Sequence, residues 1–178
     1  MNRKLKVEEL NRLTIEEYKN SKKVSIVLVL DNIRSLHNVG SIFRNADAFR
    51  IQSIVLCGIT ATPPNREIQK TALGSTDSVE WRYLESTVLA VEELKSKGYR
   101  VFALEQTDNS SLLEEVRFKS TDKIAIVVGN EVYGVQQEVI NTADGVLEIA
   151  QFGTKHSLNV SVSCGIVLWQ LSRFMRKR

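Results

Sequence analysis

Apolar residues along this chain fall into short runs that alternate with longer amphipathic segments. The runs are rich in valine and isoleucine and predict strands at residues 24–30, 54–57, 101–104, 124–128 and 146–149. The segments between them predict helices at residues 39–49, 86–97, 136–141 and 157–175. Such alternation is typical of a mostly parallel sheet with helices on both faces. The pattern therefore predicts an α/β fold, and the length of 178 residues predicts a single domain.

Two parts of the chain lack this alternation. Residues 1–23 read as a polar helical extension to a domain at residues 24–178, with apolar anchors at Leu5, Leu10, Leu13 and Ile15. Residues 58–78 include two adjacent prolines and predict a long irregular loop. Loops of that length are uncommon in compact domains and are often functional.

The last predicted helix is apolar on two faces. One row holds Leu158, Val162 and Ile166 at i, i+4 spacing, and a second row holds Val160, Cys164, Val167, Leu168 and Leu171. Residues 159–164 also alternate as a strand would, but the length of the apolar segment favours a helix. A helix that is apolar on two faces must be covered on both. We expect one face to pack on the sheet and the other to contact a second copy of the chain.

Small polar residues follow three of the predicted strands. The first group includes Asn38, Gly40 and Arg44, the second includes Gly129, Asn130, Glu131 and Gly134, and the third is Ser157, Leu158 and Asn159. The carboxyl ends of parallel strands face one crevice, where ligands bind. We therefore expect all three groups to line one site.

Each of these residues also has a structural explanation when it is taken alone. Asn38 could cap the helix that follows it, and Ser157 and Asn159 could cap the last helix. Glu131 could stabilise the dipole of its own first helical turn. Arg44 could be a solvated surface residue. The convergence of these residues at three strand ends is what favours a ligand site.

Composition and missing motifs narrow the chemistry. The chain is 43% hydrophobic and 25% charged, with a net charge of +3, which is ordinary for a soluble globular protein. The sequence shows no secretory signal and no uninterrupted membrane span, so we expect a cytoplasmic protein. It also lacks a dinucleotide glycine pattern, a phosphate loop and metal-ligand spacing, so we expect no metal. Basic residues near both ends leave contact with nucleic-acid phosphates open.

These residues, in this order, resemble the SpoU or TrmH family of SPOUT-superfamily RNA methyltransferases. The first motif spans residues 38–49, the second spans 126–131 with Gly134, and the third begins at Ser157. The resemblance extends from residue 24 to the C-terminus. It implies a homodimer, a C-terminal trefoil knot and S-adenosylmethionine as cofactor, with methyl transfer to a ribose 2′-hydroxyl of RNA. An enzyme that methylates a base, and a knotted domain that binds without catalysis, are the rivals.

The resemblance implies roles for ten residues. Those expected to bind the cofactor are Leu104, Glu105, Gly129, Ile149 and Leu158. Those expected to act in catalysis are Arg44, Asn38, Glu131, Ser157 and Asn159. Because a guanidinium is not deprotonated in proteins, we expect Arg44 to hold a phosphate beside the ribose rather than to act as the base. The chain has Ala150 and Gln151 where the family commonly has proline and methionine.

The resemblance leaves the identity of the RNA open between tRNA and rRNA. Larger family members carry a separate N-terminal RNA-binding domain, whereas about 23 polar residues precede the first predicted strand here. We therefore expect the domain itself, the N-terminal extension and the basic tail at residues 173–178 to hold the RNA. RNA binding by these parts alone favours a compact substrate such as tRNA.

Overall fold

The computed structural model describes residues 2–175, so the last three residues of the predicted basic tail lie outside the described part. Its strands are β1 (Val24–Asp31), β2 (Ile51–Cys57), β3 (Trp81–Leu84), β4 (Arg100–Leu104), β5 (Ser111–Leu112), β6 (Ile124–Val128) and β7 (Gly145–Glu148). Its helices are α1 (Ile15–Asn20), α2 (Leu36–Phe49), α3 (Arg66–Ala72), α4 (Ser75–Ser78), α5 (Thr87–Ser96), α6 (Gln137–Thr142) and α7 (Val160–Met175). A single 3₁₀ turn, Val7–Leu10, precedes them.

The seven described strands form one sheet in the order β3-β2-β1-β6-β4-β7-β5. Every pairing between these strands is parallel. The predicted α/β fold with a mostly parallel sheet is therefore confirmed. Because β6, β4 and β7 are neighbours in this order, the residues that follow them meet at one edge of the sheet.

Both faces of the sheet are buried, which explains the continuous apolar runs. In β1, Ile26, Leu28 and Leu30 point into a core formed with α2, α3 and α7. Val27 and Val29, between them, point into a second core formed with α5 and α6. A strand that is covered on both sides needs apolar residues at every position.

The prediction of an irregular loop at residues 58–78 is wrong for α3 and α4. Helix α3 packs closely against α2 at Gly40, where an added Cβ would lie 2.2 Å from the carbonyl oxygen of Ile68. Only Ile68 and Ala72 of α3 are buried. Two buried positions in one short helix are too few to produce a helical period in the sequence. Strands β3 and β5 were likewise not predicted.

The N-terminal extension is attached differently from the prediction. Leu5, Leu10, Leu13 and Ile15 are all exposed, so the prediction that they anchor this segment is wrong. Tyr18, on α1, is buried instead. Helix α1 begins at a capping box, in which Thr14 and Glu17 each bond the backbone N–H of the other. The division of the chain at residue 24 stays a prediction.

The C-terminal segment leaves β7 and runs to α7, which packs against α2. Helix α7 begins at Val160, three residues after the predicted start, so Ser157 and Leu158 belong to the preceding loop. The trefoil knot in this segment stays a prediction. Within residues 2–175, no helix has both the length and the apolar character needed to cross a membrane.

Candidate active site

A cavity of about 700 Å³ opens at the edge of the sheet where β4, β6 and β7 end. It is lined by all five residues that were predicted to bind the cofactor, namely Leu104, Glu105, Gly129, Ile149 and Leu158. Three residues from the predicted catalytic set, Glu131, Ser157 and Asn159, also line it. Asn38 and Arg44 lie outside the cavity wall. Gln151, one of the two departures from the family pattern, is part of the wall.

Close backbone contacts shape the wall beside β6. An added Cβ on Gly129 would lie 2.1 Å from the carbonyl carbon of Gly134, so no side chain fits there. A Cβ on Gly134 would lie 2.2 Å from Oε2 of Glu105. Glu105 in turn accepts hydrogen bonds from the N–H groups of Val135 at 3.0 Å and Gln106 at 2.9 Å. Both glycines therefore allow the backbone to form this part of the wall.

The carboxylate of Glu131 reaches the N-terminal end of α2. It accepts hydrogen bonds from the N–H groups of Arg34 at 2.9 Å and Ser35 at 3.0 Å, and from Nδ2 of Asn38 at 2.9 Å. Partial burial opposes ionisation of Glu131, but these hydrogen bonds outweigh it and lower the pKa of the carboxyl. Glu131 thus stabilises the start of α2 and not a helix of its own.

Asn38 and Asn159 connect α2 to α7. Nδ2 of Asn159 donates to Oδ1 of Asn38 at 3.1 Å, while Oδ1 of Asn159 accepts from the N–H of Ser161 at 2.9 Å. Asn159 therefore caps α7, as one of the structural explanations held. Asn38 is not a cap, because Ser35 holds that position in α2 and accepts from the N–H of Asn38 at 3.2 Å. The side chain of Asn38 is thereby left to bridge Glu131 and Asn159.

Arg44 is exposed on α2, and its guanidinium makes no hydrogen bond or ion pair with another residue in the described range 2–175. Its neighbour Asn45 donates to the carbonyl of Ser161 at 2.8 Å, so this part of α2 lies beside the first turn of α7. Ser157 is also exposed, on the loop before α7. The guanidinium of Arg44 is thus available to an external anion near this junction.

Two polar residues outside the ten with an assigned catalytic or cofactor role hold the loops around the cavity. Asp31 is fully buried at the end of β1 and accepts from Oγ1 of Thr87 at 2.7 Å and from the N–H of Gln136 at 2.9 Å. Nδ2 of Asn130 donates to the carbonyl of Asn32 at 2.7 Å. A carboxylate that ends an otherwise apolar strand was the sequence signal for Asp31.

Comparison with known proteins identifies the family. Residues 25–169 match the model of the SpoU rRNA Methylase family. The chain belongs to this family. The resemblance drawn from the three motifs is therefore confirmed.

Two curated relatives have different RNA substrates in their names. The chain is 27% identical over 165 residues to a 23S rRNA (guanosine-2′-O-)-methyltransferase of Vibrio cholerae, covering 93% of this chain and 66% of the relative. It is 29% identical over 165 residues to a tRNA (guanosine(18)-2′-O)-methyltransferase of Thermus thermophilus, covering 93% of this chain and 83% of the relative. The chain thus spans less than two thirds of the rRNA enzyme.

A solved structure supports the same fold. An AdoMet-bound rRNA methyltransferase from Sinorhizobium meliloti superposes with a TM-score of 0.80 at 25% identity. The match covers 90% of this chain and 61% of that protein. The predicted SPOUT-type α/β architecture is therefore shared with a methyltransferase.

Proposed function

We propose that this protein transfers a methyl group from S-adenosylmethionine to a ribose 2′-hydroxyl of RNA. The observation that carries the proposal is the cavity at the end of β4, β6 and β7, which unites all five residues expected to bind the cofactor. The polar bridge through Glu131, Asn38 and Asn159 begins and ends at residues of the same cavity wall. Family membership and the names of both curated relatives support the same reaction.

The residues of the cavity fit S-adenosylmethionine. A volume of about 700 Å³ lies in the usual range for sites that bind small molecules. Apolar surface for an adenine ring is provided by Leu104, Ile149 and Leu158. At Gly129 no side chain covers the backbone, so its polar groups lie close to a ligand in the cavity. When bound, the cofactor supplies a methyl group that is bonded to a positively charged sulfur. The carbon of this methyl group is open to attack by an oxygen.

The chain's own residues would align and activate that oxygen. We assign Arg44 to a phosphate next to the target ribose, because a guanidinium binds phosphate through two parallel hydrogen bonds. Its positive charge would also favour the anionic form of the hydroxyl in the transition state. As the oxygen bonds to the methyl carbon, the bond from that carbon to sulfur would break, and the hydroxyl proton would pass to solvent water at this exposed junction. Ser157 and Asn159, on the cavity wall, would hold the ribose by hydrogen bonds. This alignment converts an encounter of two molecules into a reaction within one complex.

Glu131 and Asn38 act as positioning residues in this proposal. The lowered pKa of Glu131 keeps its carboxylate ionised at neutral pH, and three N–H donors already occupy its oxygens. A carboxylate with these partners is poorly suited to accept the proton of the ribose hydroxyl. Its contribution is to fix Asn38, which in turn contacts Asn159.

We infer that tRNA is the substrate rather than rRNA. The match covers 83% of the relative named as a tRNA enzyme, against 66% of the relative named as an rRNA enzyme. About a third of the rRNA enzyme thus has no counterpart in the matched region. We place this activity in the cytoplasm, where its substrate would be met.

We also infer that the protein works as a homodimer. Val162, Ile166 and Trp169 are exposed at i, i+4 and i+7 on α7, and form one apolar row. The opposite side of α7 is buried against α2 and the sheet. A second copy of α7 would cover such a row with the same surface, as two-fold dimers do.

Methyl transfer is tested with unfractionated tRNA and rRNA from cells that lack this protein. Each RNA is incubated with the protein and isotopically labelled S-adenosylmethionine, digested to nucleosides and analysed by mass spectrometry. We expect labelled 2′-O-methylnucleosides from tRNA. A label on a base would favour the base-modifying rival, and labelled rRNA alone would refute the choice of tRNA. A protein that binds the cofactor but labels neither RNA would contradict the proposed activity.

A further inference from the structure

The turn between β6 and α6 presents two apolar side chains to solvent. Val132 is 65% exposed and Tyr133 is 84% exposed. The hydroxyl of Tyr133 makes no hydrogen bond, and its ring no aromatic or cation contact, with any other residue in the range 2–175. Single exposed apolar side chains are common, so exposure alone does not mark a site.

The rigidity of the turn distinguishes Tyr133 from other exposed apolar residues. Asn130 and Gly134 exchange backbone hydrogen bonds of 3.0 and 2.9 Å. Oδ1 of Asn130 accepts from the N–H groups of Val132 at 2.9 Å and Tyr133 at 3.2 Å. The backbone of Tyr133 is therefore fixed before any ligand arrives. A tyrosine on a fixed backbone has only two side-chain torsions to order on binding, which favours its use as a contact surface.

Tyr133 also borders the candidate active site. It lines the cavity together with Gly129 and Leu158. Two residues earlier in the same turn, Glu131 holds Asn38 at 2.9 Å. The turn thus connects the wall of the proposed cofactor cavity to the residues proposed to position the ribose.

We propose that Tyr133 is the surface on which the base of the target nucleotide stacks. The proposal rests on the proposed methyl transfer to RNA. A ribose hydroxyl is aligned with the methyl group only if the rest of its nucleotide is held in place. An exposed aromatic ring can stack on any base, because every base has a flat π face. Tyr133 therefore contributes affinity for the flipped-out or single-stranded nucleotide without selecting its identity.

Two other molecules could cover the same ring, and they set the alternatives for the test. The adenine of S-adenosylmethionine is also flat, and Tyr133 lines the cavity proposed for it. A second copy of the chain could also pack against an exposed apolar side chain. The base of the RNA is favoured because the ring is exposed at the rim, close to the turn residue that positions Asn38.

The test compares Tyr133→Ala, Tyr133→Leu and Tyr133→Phe with Leu89→Ala, a change at an exposed apolar residue of α5. Three quantities are measured: kcat/KM with unfractionated tRNA from cells that lack the protein, the Kd of S-adenosylmethionine by calorimetry, and the oligomeric state by sedimentation. We expect alanine and leucine to lower kcat/KM for tRNA by about 10- to 100-fold and phenylalanine by less than about threefold. The Kd of S-adenosylmethionine and the oligomeric state should match wild type in all four variants.

The leucine variant makes the test specific, because it keeps apolar bulk but removes the π face. Full activity of Tyr133→Leu, or an unchanged kcat/KM in Tyr133→Ala, would overturn the proposal. A matching loss of affinity for S-adenosylmethionine would assign the ring to the cofactor instead, and an altered oligomeric state would assign it to a second copy. Binding of the same tRNA is measured in parallel by fluorescence polarisation. If wild type transfers no methyl group, the proposed function fails, and the binding of Tyr133→Ala relative to wild type still decides whether the ring contacts RNA.

Discussion

The side-chain amide of Asn159 donates to Oδ1 of Asn38 at 3.1 Å, although 121 residues separate the two in sequence. The other end of the same amide accepts from the N–H of Ser161 at 2.9 Å and so caps α7. One side chain therefore begins a helix and fixes that helix against the first turn of α2. The loop that carries Ser157 is held between these two contacts and the end of β7.

Substitution of Asn159 should separate its two contacts. A serine can still cap α7, so we expect Asn159→Ser to change the free energy of unfolding by less than about 0.5 kcal/mol. The shorter serine side chain does not reach Oδ1 of Asn38 as the amide does, and loss of that alignment, together with the proposed ribose contact, should lower kcat by about tenfold or more. Asn159→Ala loses the cap as well and should cost about 1 kcal/mol. Urea denaturation and methyl-transfer assays check both expectations, and wild-type kcat in the serine variant would contradict the second.

Glu131 should make stability depend on pH in a defined direction. Its pKa is lowered in the folded protein, so its contribution is complete above the unfolded carboxyl pKa of about 4.3 and is lost as pH falls through the lower folded value. At pH 7 we expect Glu131→Gln to cost about 1 kcal/mol, a figure reduced for the partial exposure of the group. The difference from wild type should shrink toward zero as the pH falls through the lowered folded pKa of Glu131.

Denaturation at a series of pH values measures this difference. The control is Glu92→Gln on α5, whose side chain makes no hydrogen bond within residues 2–175 and should give a small, nearly constant difference. A Glu131→Gln difference that persists unchanged at acid pH would show that the carboxylate charge is not responsible.

The sequence predicted the central strands well because burial on both faces leaves a continuous apolar run, as in β1 and β6. It did not predict β5, because two residues are too few to show the alternation of a strand. It did not predict α3, because only one side of this short helix is buried. The family motifs predicted that Gly129 and Leu158 contact the same cofactor, and both residues line one cavity. The reach of Glu131 to Ser35, across 96 residues, could not be predicted, because it depends on β6 being placed directly beside β1.

Two helical glycines offer a matched test of the packing between helices. An alanine at Gly40 would place its Cβ 2.1 Å from Oγ1 of Thr71 and 2.2 Å from the carbonyl oxygen of Ile68, and the backbone atom cannot move aside cheaply. We expect Gly40→Ala to cost about 1–3 kcal/mol. An alanine at Gly165 of α7 would meet Asn45 at an ordinary 3.6 Å, so Gly165→Ala should stabilise by about 0.5–1 kcal/mol. Thermal denaturation should therefore show a lower Tm than wild type for Gly40→Ala and a higher Tm for Gly165→Ala.

Removal of the Arg44 guanidinium should affect turnover and not the cofactor. Arg44 lies outside the cavity wall and is exposed, so Arg44→Ala should leave the Kd of S-adenosylmethionine within about twofold of wild type. Loss of the phosphate contact and its charge should lower kcat by about 100-fold or more. Arg44→Lys keeps the charge without the paired hydrogen bonds, so its kcat should lie between those of wild type and Arg44→Ala. Calorimetry and single-turnover kinetics measure these effects, and near-normal turnover by the alanine variant would refute the role.

The apolar row on α7 should form the contact between the two copies of the homodimer. Val162, Ile166 and Trp169 are exposed in the single chain, and a homodimer would bury them against a second copy. A carboxylate at the centre of that row would be desolvated without a partner, so Ile166→Asp should convert the dimer to a monomer. Leu89→Asp places the same charge on an exposed apolar position of α5 and should leave the dimer intact. Sedimentation equilibrium measures the mass of both variants, with circular dichroism to verify folding. A monomeric wild type would contradict the dimer outright, and a dimeric Ile166→Asp would move the interface away from this face of α7.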